Sequence, residues 1–168
     1  VDVIKSIAKE HPDWDFGLIG SFRLGDNEKM NSFAKKLKEK FNSIGSQAKF
    51  YGFKNHNFVE NKMQTASIII IPSIWEEPFG LVAAEAMSNG IAIIASKLGG
   101  IPEIVKDNGI LIENINFLKL RNTIKLLIND EKKRVYFQKK AWANFVFTSS
   151  FSSQKLDSFR KVIFQNYF

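Results

Sequence analysis

The chain has 168 residues, of which 45% are hydrophobic and 24% are charged, and it carries a net charge of +7. This composition predicts one folded domain and excludes an intrinsically disordered protein. The sequence contains no cysteine and two histidines, which excludes disulfides, thiolate metal sites and a zinc site built on histidine alone. Its apolar runs are too short to cross a bilayer and its amino end lacks the pattern of a signal peptide, so we expect a cytoplasmic protein.

The excess of basic residues has two interpretations. It indicates either an anionic partner, such as a phosphorylated substrate or a membrane surface, or solvated helix faces. Lysines and arginines are spread over several predicted helices at spacings typical of solvent-facing stripes. We therefore favour solvated faces and do not expect a nucleic-acid partner.

Short apolar runs alternate with longer segments of helical period. In chain order the prediction is helix 1–10, strand 16–20, helix 28–42, strand 48–53, helix 57–66, strand 67–72, helix 80–89, strand 91–96, helix 101–105, strand 109–113, and then helices 117–129, 131–145 and 152–165. The strands are continuous apolar runs, which are typical of parallel strands covered on both faces. The pattern predicts an α/β fold with an open, doubly wound parallel sheet, and extra helices at the carboxyl end.

The three carboxyl-terminal helices have no strand between them. Asp130 and Ser150 are predicted to cap the last two. The last helix places Leu156, Phe159 and Val162 at helical spacing, so we expect this tail to pack on an apolar surface, either its own sheet or another domain.

The most informative stretch is SIWEEPFGLVAAEAMSNG, residues 73–90. It follows a predicted strand and leads into a helix that begins at Gly80, which is where an open parallel sheet binds its ligands. The free N–H groups and the dipole of a helix start attract anions, and a glycine lets a diphosphate approach the backbone closely.

Two acids flank this predicted anion site. Glu77 precedes Pro78 and stays on the loop, whereas Glu85 lies in an otherwise apolar helix. An unpartnered buried carboxylate is costly, so Glu85 either faces solvent or has a partner, and the paired hydroxyls of a ribose would suit it. Glu76 is interpreted as a solvated neighbour.

Residues 72–112 read PSIWEEPFGLVAAEAMSNGIAIIASKLGGIPEIVKDNGILI. This stretch resembles the signature of group 1 glycosyltransferases of the retaining GT-B fold, in which two glutamates separated by seven residues surround a Phe-Gly pair and precede a Gly-Gly-x-Pro-Glu loop. The matching residues are Glu77, Phe79, Gly80, Glu85, Gly99, Gly100, Pro102 and Glu103. The upstream segments HPDWDFGLIG and FYGF are similar to earlier strands of the same domain.

The resemblance implies that residues 1–168 are the carboxyl-terminal, Rossmann-like domain of a GT-B enzyme, which binds a nucleotide-diphosphate sugar of the UDP or GDP type without a cofactor or a metal. It implies that Glu77 lies beside the transferred sugar as the catalytic residue and that Glu85 binds the ribose. The other residues it assigns to the donor are Phe79, Gly80, Leu81, Val82, Gly99, Gly100 and Glu103.

Two departures from the family pattern affect this interpretation. Such domains begin with a central strand and a loop carrying an Arg and a Lys for the diphosphate, whereas this sequence opens on a predicted helix. We therefore expect an unfilled slot in the sheet, a smaller sheet or a strand from another chain. Arg23 is the candidate to assist the diphosphate. The amino-terminal acceptor domain is also missing, so the isolated chain is expected to bind the donor weakly and to transfer little or no sugar.

Four further residues each have two interpretations. Trp75 either walls the sugar pocket or packs in the core or at the rim, and Ser73 either binds a phosphate or caps the loop. The Gly99-Gly100 pair is assigned to the site, although a turn would also explain it. His56 is interpreted as a turn or cap residue and not as a catalyst.

The expected function is hexosyl transfer to a glycan or lipid-linked acceptor, as in polysaccharide biosynthesis, with peripheral contact at the inner membrane surface. The alternatives are a non-catalytic nucleotide-binding or interaction module, and half of a sugar-nucleotide epimerase. A dinucleotide-binding domain is disfavoured, because GSFRLG lacks the required glycine spacing.

Overall fold

The computed structural model describes residues 1–20 and 32–167. The strands are β1 (Phe16–Ile19), β2 (Ala48–Gly52), β3 (Ile68–Ile71), β4 (Ala92–Ser96) and β5 (Ile110–Ile112). The helices are α1 (Asp2–Ala8), α2 (Ser32–Asn42), α3 (His56–Thr65), α4 (Leu81–Ser88), α5 (Ile101–Val105), α6 (Phe117–Asn129), α7 (Glu131–Ala143) and α8 (Ser149–Tyr167). These elements match the predicted ones closely, although part of the predicted helix 28–42 lies outside the described residues.

The strands form two parallel sheets. β1 pairs with β2, and β3, β4 and β5 pair in that order. Parallel strands joined through helices are the arrangement of a doubly wound fold. Among the described strands, none bridges β1 and β3. The predicted α/β class is confirmed, and the sheet is divided at the place where the resemblance expects a further strand.

The core lies on both faces of β4, whose residues are all buried. Alternate side chains of a strand point to opposite faces, so β4 contributes to two apolar clusters. One cluster packs β4 against α4 and α5 and contains Met87, Ile93, Ala95, Ile101 and Val105. The other packs β4 against α1 and α6 and contains Val3, Ile7, Ala92, Ile94, Ile124 and Leu127.

An ion-pair network ties α1 to α6. The carboxylate of Glu10, directly after α1, accepts hydrogen bonds from Lys125 at 2.5 Å and from Arg121. The Nε of Arg121 also donates to the Ser6 hydroxyl over 3.2 Å. The hydrogen bond from Lys125, and then that from Arg121, lowers the pKa of Glu10 below its ordinary value.

Of the two caps predicted for the last two helices, one is confirmed and one is wrong. Asp130 caps α7, because its carboxylate accepts the N–H of Lys133 over 2.9 Å, which confirms that prediction. The cap assigned to Ser150 is wrong, since α8 already begins at Ser149 and the hydroxyl of Thr148 accepts the N–H of Phe151.

The described side chains of α8 are exposed, including Leu156 of the predicted apolar stripe, and the other members of that stripe lie outside the described side chains. No helix in residues 1–20 and 32–167 combines the length and apolar character needed to span a membrane.

Candidate functional site

Two loops form the candidate site at the carboxyl ends of β3 and β4. The first, residues 72–80, connects β3 to α4, and the second, residues 97–100, connects β4 to α5. Since β3 and β4 are parallel neighbours, both loops emerge at the same edge of the sheet. This is the edge at which open α/β sheets bind ligands.

The start of α4 requires a glycine, and that glycine is buried. Gly80 caps the helix at φ +87°, a left-handed conformation that other residues rarely adopt, and a Cβ there would lie 3.2 Å from the Ile101 side chain. The Gly80 carbonyl accepts the N–H groups of Ala83 and Ala84. Leu81 and Val82 occupy the first turn, where N–H groups lack carbonyl partners within the helix, and their side chains are exposed.

Glu77 is held by one contact to its side chain and one to its backbone. The hydroxyl of Ser73 donates to Oε1 of Glu77 over 2.6 Å. The backbone N–H of Gly100 donates to the carbonyl oxygen of Glu77 over 2.7 Å. Both Ser73 and Glu77 are half-buried. Neither interpretation proposed for Ser73, a phosphate ligand or a loop cap, includes this contact to the carboxylate.

The Gly99-Gly100 pair packs on the backbone of the first loop. A Cβ on Gly99, which has φ +55°, would lie 2.4 Å from the carbonyl oxygen of Glu77. A Cβ on Gly100 would lie 2.6 Å from the carbonyl oxygen of Pro78. Real Cβ atoms do not approach backbone atoms this closely, so close contact between the two loops is sufficient to require glycine at both positions.

Glu85 lies on the accessible side of a helix that is otherwise largely buried. Its neighbours Ala83, Ala84, Ala86 and Met87 are all buried, whereas its own side chain is 37% exposed. The sequence left two alternatives for Glu85, exposure to solvent or a partner. Both hold in part, because its carboxylate is half-exposed and also has a protein neighbour.

That neighbour is His56, whose Nδ1 lies 3.8 Å from Oε1 of Glu85. His56 is the first residue of α3, and the cap of that helix is Asn55, whose side chain accepts the N–H of Phe58. The interpretation of His56 as a cap is therefore wrong. The proximity of His56 to Glu85 has no signal in the sequence, since the two residues belong to different helices.

An aromatic contact joins this site to the carboxyl-terminal segment. The ring of Phe79 meets that of Phe147 edge to face, with centroids 5.8 Å apart. Phe147 also contacts Phe145 and Phe151. Phe147 was not among the predicted site residues, although it lies in the aromatic-rich run FVF between the last two helices. Trp75 is exposed within the first loop and is not a core residue.

The remaining predicted residues are peripheral or outside the described ranges. Glu103 is exposed in the first turn of α5, and Glu76 is exposed as predicted. Arg23 lies outside the described residues. Lys97, at the start of the second loop, forms an ion pair with Glu113, which lowers the pKa of that acid. In residues 1–20 and 32–167, no three acidic or histidine side chains gather in a way that could hold a metal.

Comparison with known proteins identifies the family. The model of the family described as glycosyl transferases group 1 matches residues 1–143. An uncharacterized glycosyltransferase of Methanocaldococcus jannaschii is 36% identical over 136 residues, which make up 80% of this chain and 35% of that protein.

Solved structures agree with this assignment. HepE of Anabaena, in complex with UDP-glucose, superposes with a TM-score of 0.75 at 25% identity, over 95% of this chain and 44% of that one. The carboxyl-terminal domain of a glycosyl transferase group 1 family protein of Francisella tularensis superposes with a TM-score of 0.68 at 27% identity, over 84% of this chain and 73% of that one.

The chain spans 40% of the length of another curated relative that it matches, and 35% of the length of the Methanocaldococcus jannaschii protein. The match over residues 1–143, the two-loop site and the superpositions together show that this chain belongs to the group 1 glycosyltransferases and has the fold of the carboxyl-terminal domain of their GT-B members.

Proposed function

We propose that this chain is the donor-binding half of a retaining glycosyltransferase, which transfers a hexose from a nucleotide-diphosphate sugar to a glycan or lipid-linked acceptor. The observation that carries the proposal is the start of α4, where Leu81 and Val82 are exposed. Glu77 on the preceding loop and Glu85 on the helix flank this start. An anion site between two carboxylates suits a ligand that has a diphosphate with hydroxyl-bearing groups at both ends.

The diphosphate lies at the start of α4 in this proposal. The backbone N–H groups of Leu81 and Val82 donate to its oxygens, and the positive end of the helix dipole stabilises its charge. Gly80 itself is buried, and the exposed residues of this first turn are Leu81 and Val82. Phe79 and Glu103 border this position, and the Gly99-Gly100 pair packs against the backbone of the first loop.

The nucleoside end of the ligand lies at Glu85. This carboxylate is accessible and can accept hydrogen bonds from both ribose hydroxyls. Such hydrogen bonds are strong because the acceptor is charged. The complex of HepE with UDP-glucose supports a uridine nucleotide as the first ligand to test. His56 lies at the same end, beside Glu85.

The transferred sugar lies beside Glu77, whose carboxylate binds its hydroxyl groups. In the reaction, the bond between the anomeric carbon and the diphosphate oxygen breaks while the acceptor hydroxyl attacks from the same face. The acceptor proton passes to the departing oxygen, and the configuration of the sugar is retained. The chain's contribution is to stabilise the leaving diphosphate with fixed backbone dipoles that need no rearrangement during the reaction.

We propose further that transfer requires the amino-terminal domain characteristic of GT-B enzymes, which presents the acceptor. The matched relatives are more than twice as long as the aligned part of this chain. We therefore expect the chain alone to bind the donor and to transfer little sugar.

Calorimetry with UDP-glucose, GDP-mannose and ADP-glucose tests the proposal. Binding of at least one of these donors is expected, and Glu85→Ala should weaken it by roughly 10- to 100-fold, the effect of losing hydrogen bonds to a charged group. Glu76→Ala is the matched control, since it removes an exposed acid from the neighbouring loop. Failure to bind any of the three donors, or binding that does not depend on Glu85, would contradict the proposal and favour a non-catalytic module.

A further inference from the structure

The hydrogen bond between Ser73 and Glu77 joins two half-buried residues at the centre of the candidate site. The Ser73 hydroxyl lies 2.6 Å from Oε1 of Glu77, which is typical of a hydrogen bond to a charged carboxylate. We infer that Ser73 is a positioning residue for Glu77, which sets the orientation of the carboxylate that meets the transferred sugar. This inference rests on the proposed function, because that function places Glu77 beside the sugar.

The loop between the two residues does not fix the carboxylate by packing. Ile74 and Trp75 lie within it, and their side chains are 88% and 58% exposed. Apolar side chains that face solvent supply little restraint, so polar contacts decide where the Glu77 side chain points.

Two hydrogen bonds hold Glu77, and their donors lie in the loops after two different strands. Gly100, after β4, fixes its backbone by donating to the carbonyl oxygen, while Ser73, after β3, fixes one oxygen of its side chain. With the backbone and Oε1 both held, the rotamer of Glu77 and the direction of Oε2 are determined. The second oxygen keeps its lone pairs for a hydroxyl of the sugar.

The single proton of the Ser73 hydroxyl is used in this bond. A serine hydroxyl has one donor hydrogen, and here it is directed to a carboxylate. Ser73 therefore does not donate to a phosphate of the donor while this bond is formed. We therefore expect Ser73 to influence the binding of the sugar end of the ligand and not the binding of the nucleotide end.

The test compares the affinity of the 168-residue chain for UDP with its affinity for UDP-glucose, or for the corresponding pair if another base is preferred. Ser73→Ala should weaken UDP-glucose binding by roughly tenfold, the equivalent of one hydrogen bond to a charged group, and leave UDP binding unchanged. Ser73→Thr keeps the hydroxyl and should restore most of the affinity for UDP-glucose. Ser43→Ala, which removes an exposed hydroxyl at the end of α2, is the matched control.

A double-mutant cycle with Glu77→Gln strengthens the test. If Ser73 acts through Glu77, the loss in UDP-glucose affinity from Ser73→Ala should be much smaller in the Glu77→Gln background. Thermal unfolding of each variant shows whether the fold is retained, since a purely structural effect would lower the affinities for UDP and UDP-glucose together.

The possible outcomes separate this inference from the proposed function. If the chain binds UDP-glucose more tightly than UDP and Ser73→Ala preserves that difference, the inference is wrong and the proposed function stands. Equal weakening of both ligands, or equal affinity of the wild-type chain for both, also overturns the inference. Binding of neither nucleotide nor nucleotide sugar contradicts the proposed function itself.

Discussion

The backbone N–H of Gly100 donates to the carbonyl oxygen of Glu77 over 2.7 Å, so the loop after β4 directly supports the loop that carries the central acid of the site. The contact depends on the absence of side chains at Gly99 and Gly100. A Cβ added to either glycine would lie within 3 Å of the backbone of the opposing loop. The glycine pair thus shapes the site without needing to touch a ligand.

Gly100→Ala should destabilise the fold and displace Glu77. The added methyl group would lie 2.6 Å from the carbonyl oxygen of Pro78, so the loops must separate, at an expected cost of about 1–3 kcal/mol in the free energy of unfolding. Urea unfolding measures this cost. Gly20→Ala is the control, since a Cβ there meets no atom within 4 Å and should leave stability nearly unchanged. Equal stability of the two variants would show that the loops are not packed as described.

Phe147→Ala should lower stability through the aromatic contacts of the site loop. Phe147 is partly buried against the core and contacts the ring of Phe79. Truncation of a fully buried Phe costs about 3–5 kcal/mol, so we expect roughly half of this, measured by urea unfolding. Val146→Ala, at a more exposed neighbouring position, should cost much less. A loss at Phe147 no greater than that at Val146 would count against the aromatic contact.

Glu10→Gln should reduce the dependence of stability on pH. The hydrogen bonds from Lys125 and Arg121 hold the pKa of Glu10 in the folded state below the ordinary value of 4.5. The ionised carboxylate therefore stabilises the fold above that pH, and this contribution is lost as the pH falls through the lowered pKa. The variant should be less stable than the wild type at pH 7, and the difference should shrink between about pH 5 and pH 3.

Thermal unfolding across this pH range measures the effect of Glu10→Gln. Glu131→Gln provides the control, because that carboxylate is 79% exposed and lies 4.0 Å from its cationic neighbour. Identical pH profiles for Glu10→Gln and the wild type would contradict the role assigned to the network between α1 and α6.

Asp130→Ala should remove the cap of α7. Its carboxylate accepts the N–H of Lys133, and the loss of such a cap typically costs about 1 kcal/mol. Asp130→Asn keeps an oxygen acceptor and should be close to the wild type in chemical unfolding. If the two substitutions cost the same, the cap does not contribute as the structure indicates.

The sequence was most informative where local patterns decide the structure. The uninterrupted isoleucines of β3 and the largely apolar run of β4, each followed by a glycine- or proline-containing loop, have few alternatives to buried parallel strands. The spacing of Glu77, Gly80 and Glu85 placed these residues together in the candidate site for the same reason, since they lie within one strand-loop-helix unit.

Contacts between distant segments could not be predicted in this way. The approach of Gly100 to Glu77, of His56 to Glu85 and of Phe147 to Phe79 each depends on how separate elements pack. The error at Ser150 has a different cause, because the run Thr148, Ser149 and Ser150 offers three hydroxyls that can each cap a helix. Composition alone does not select among them.

The division of the strands into two sheets has a consequence for how the molecule opens. No hydrogen bond of the described strands connects β1 to β3, so β1 and β2 are joined to the rest by side-chain contacts such as those of Trp14 and Phe16. Their amide protons should exchange with solvent through local openings, whereas those of the fully buried β4 should exchange only on global unfolding. The loops that carry Glu77 and Gly100 follow β3 and β4, so we expect the candidate site to stay assembled while the β1–β2 pair opens.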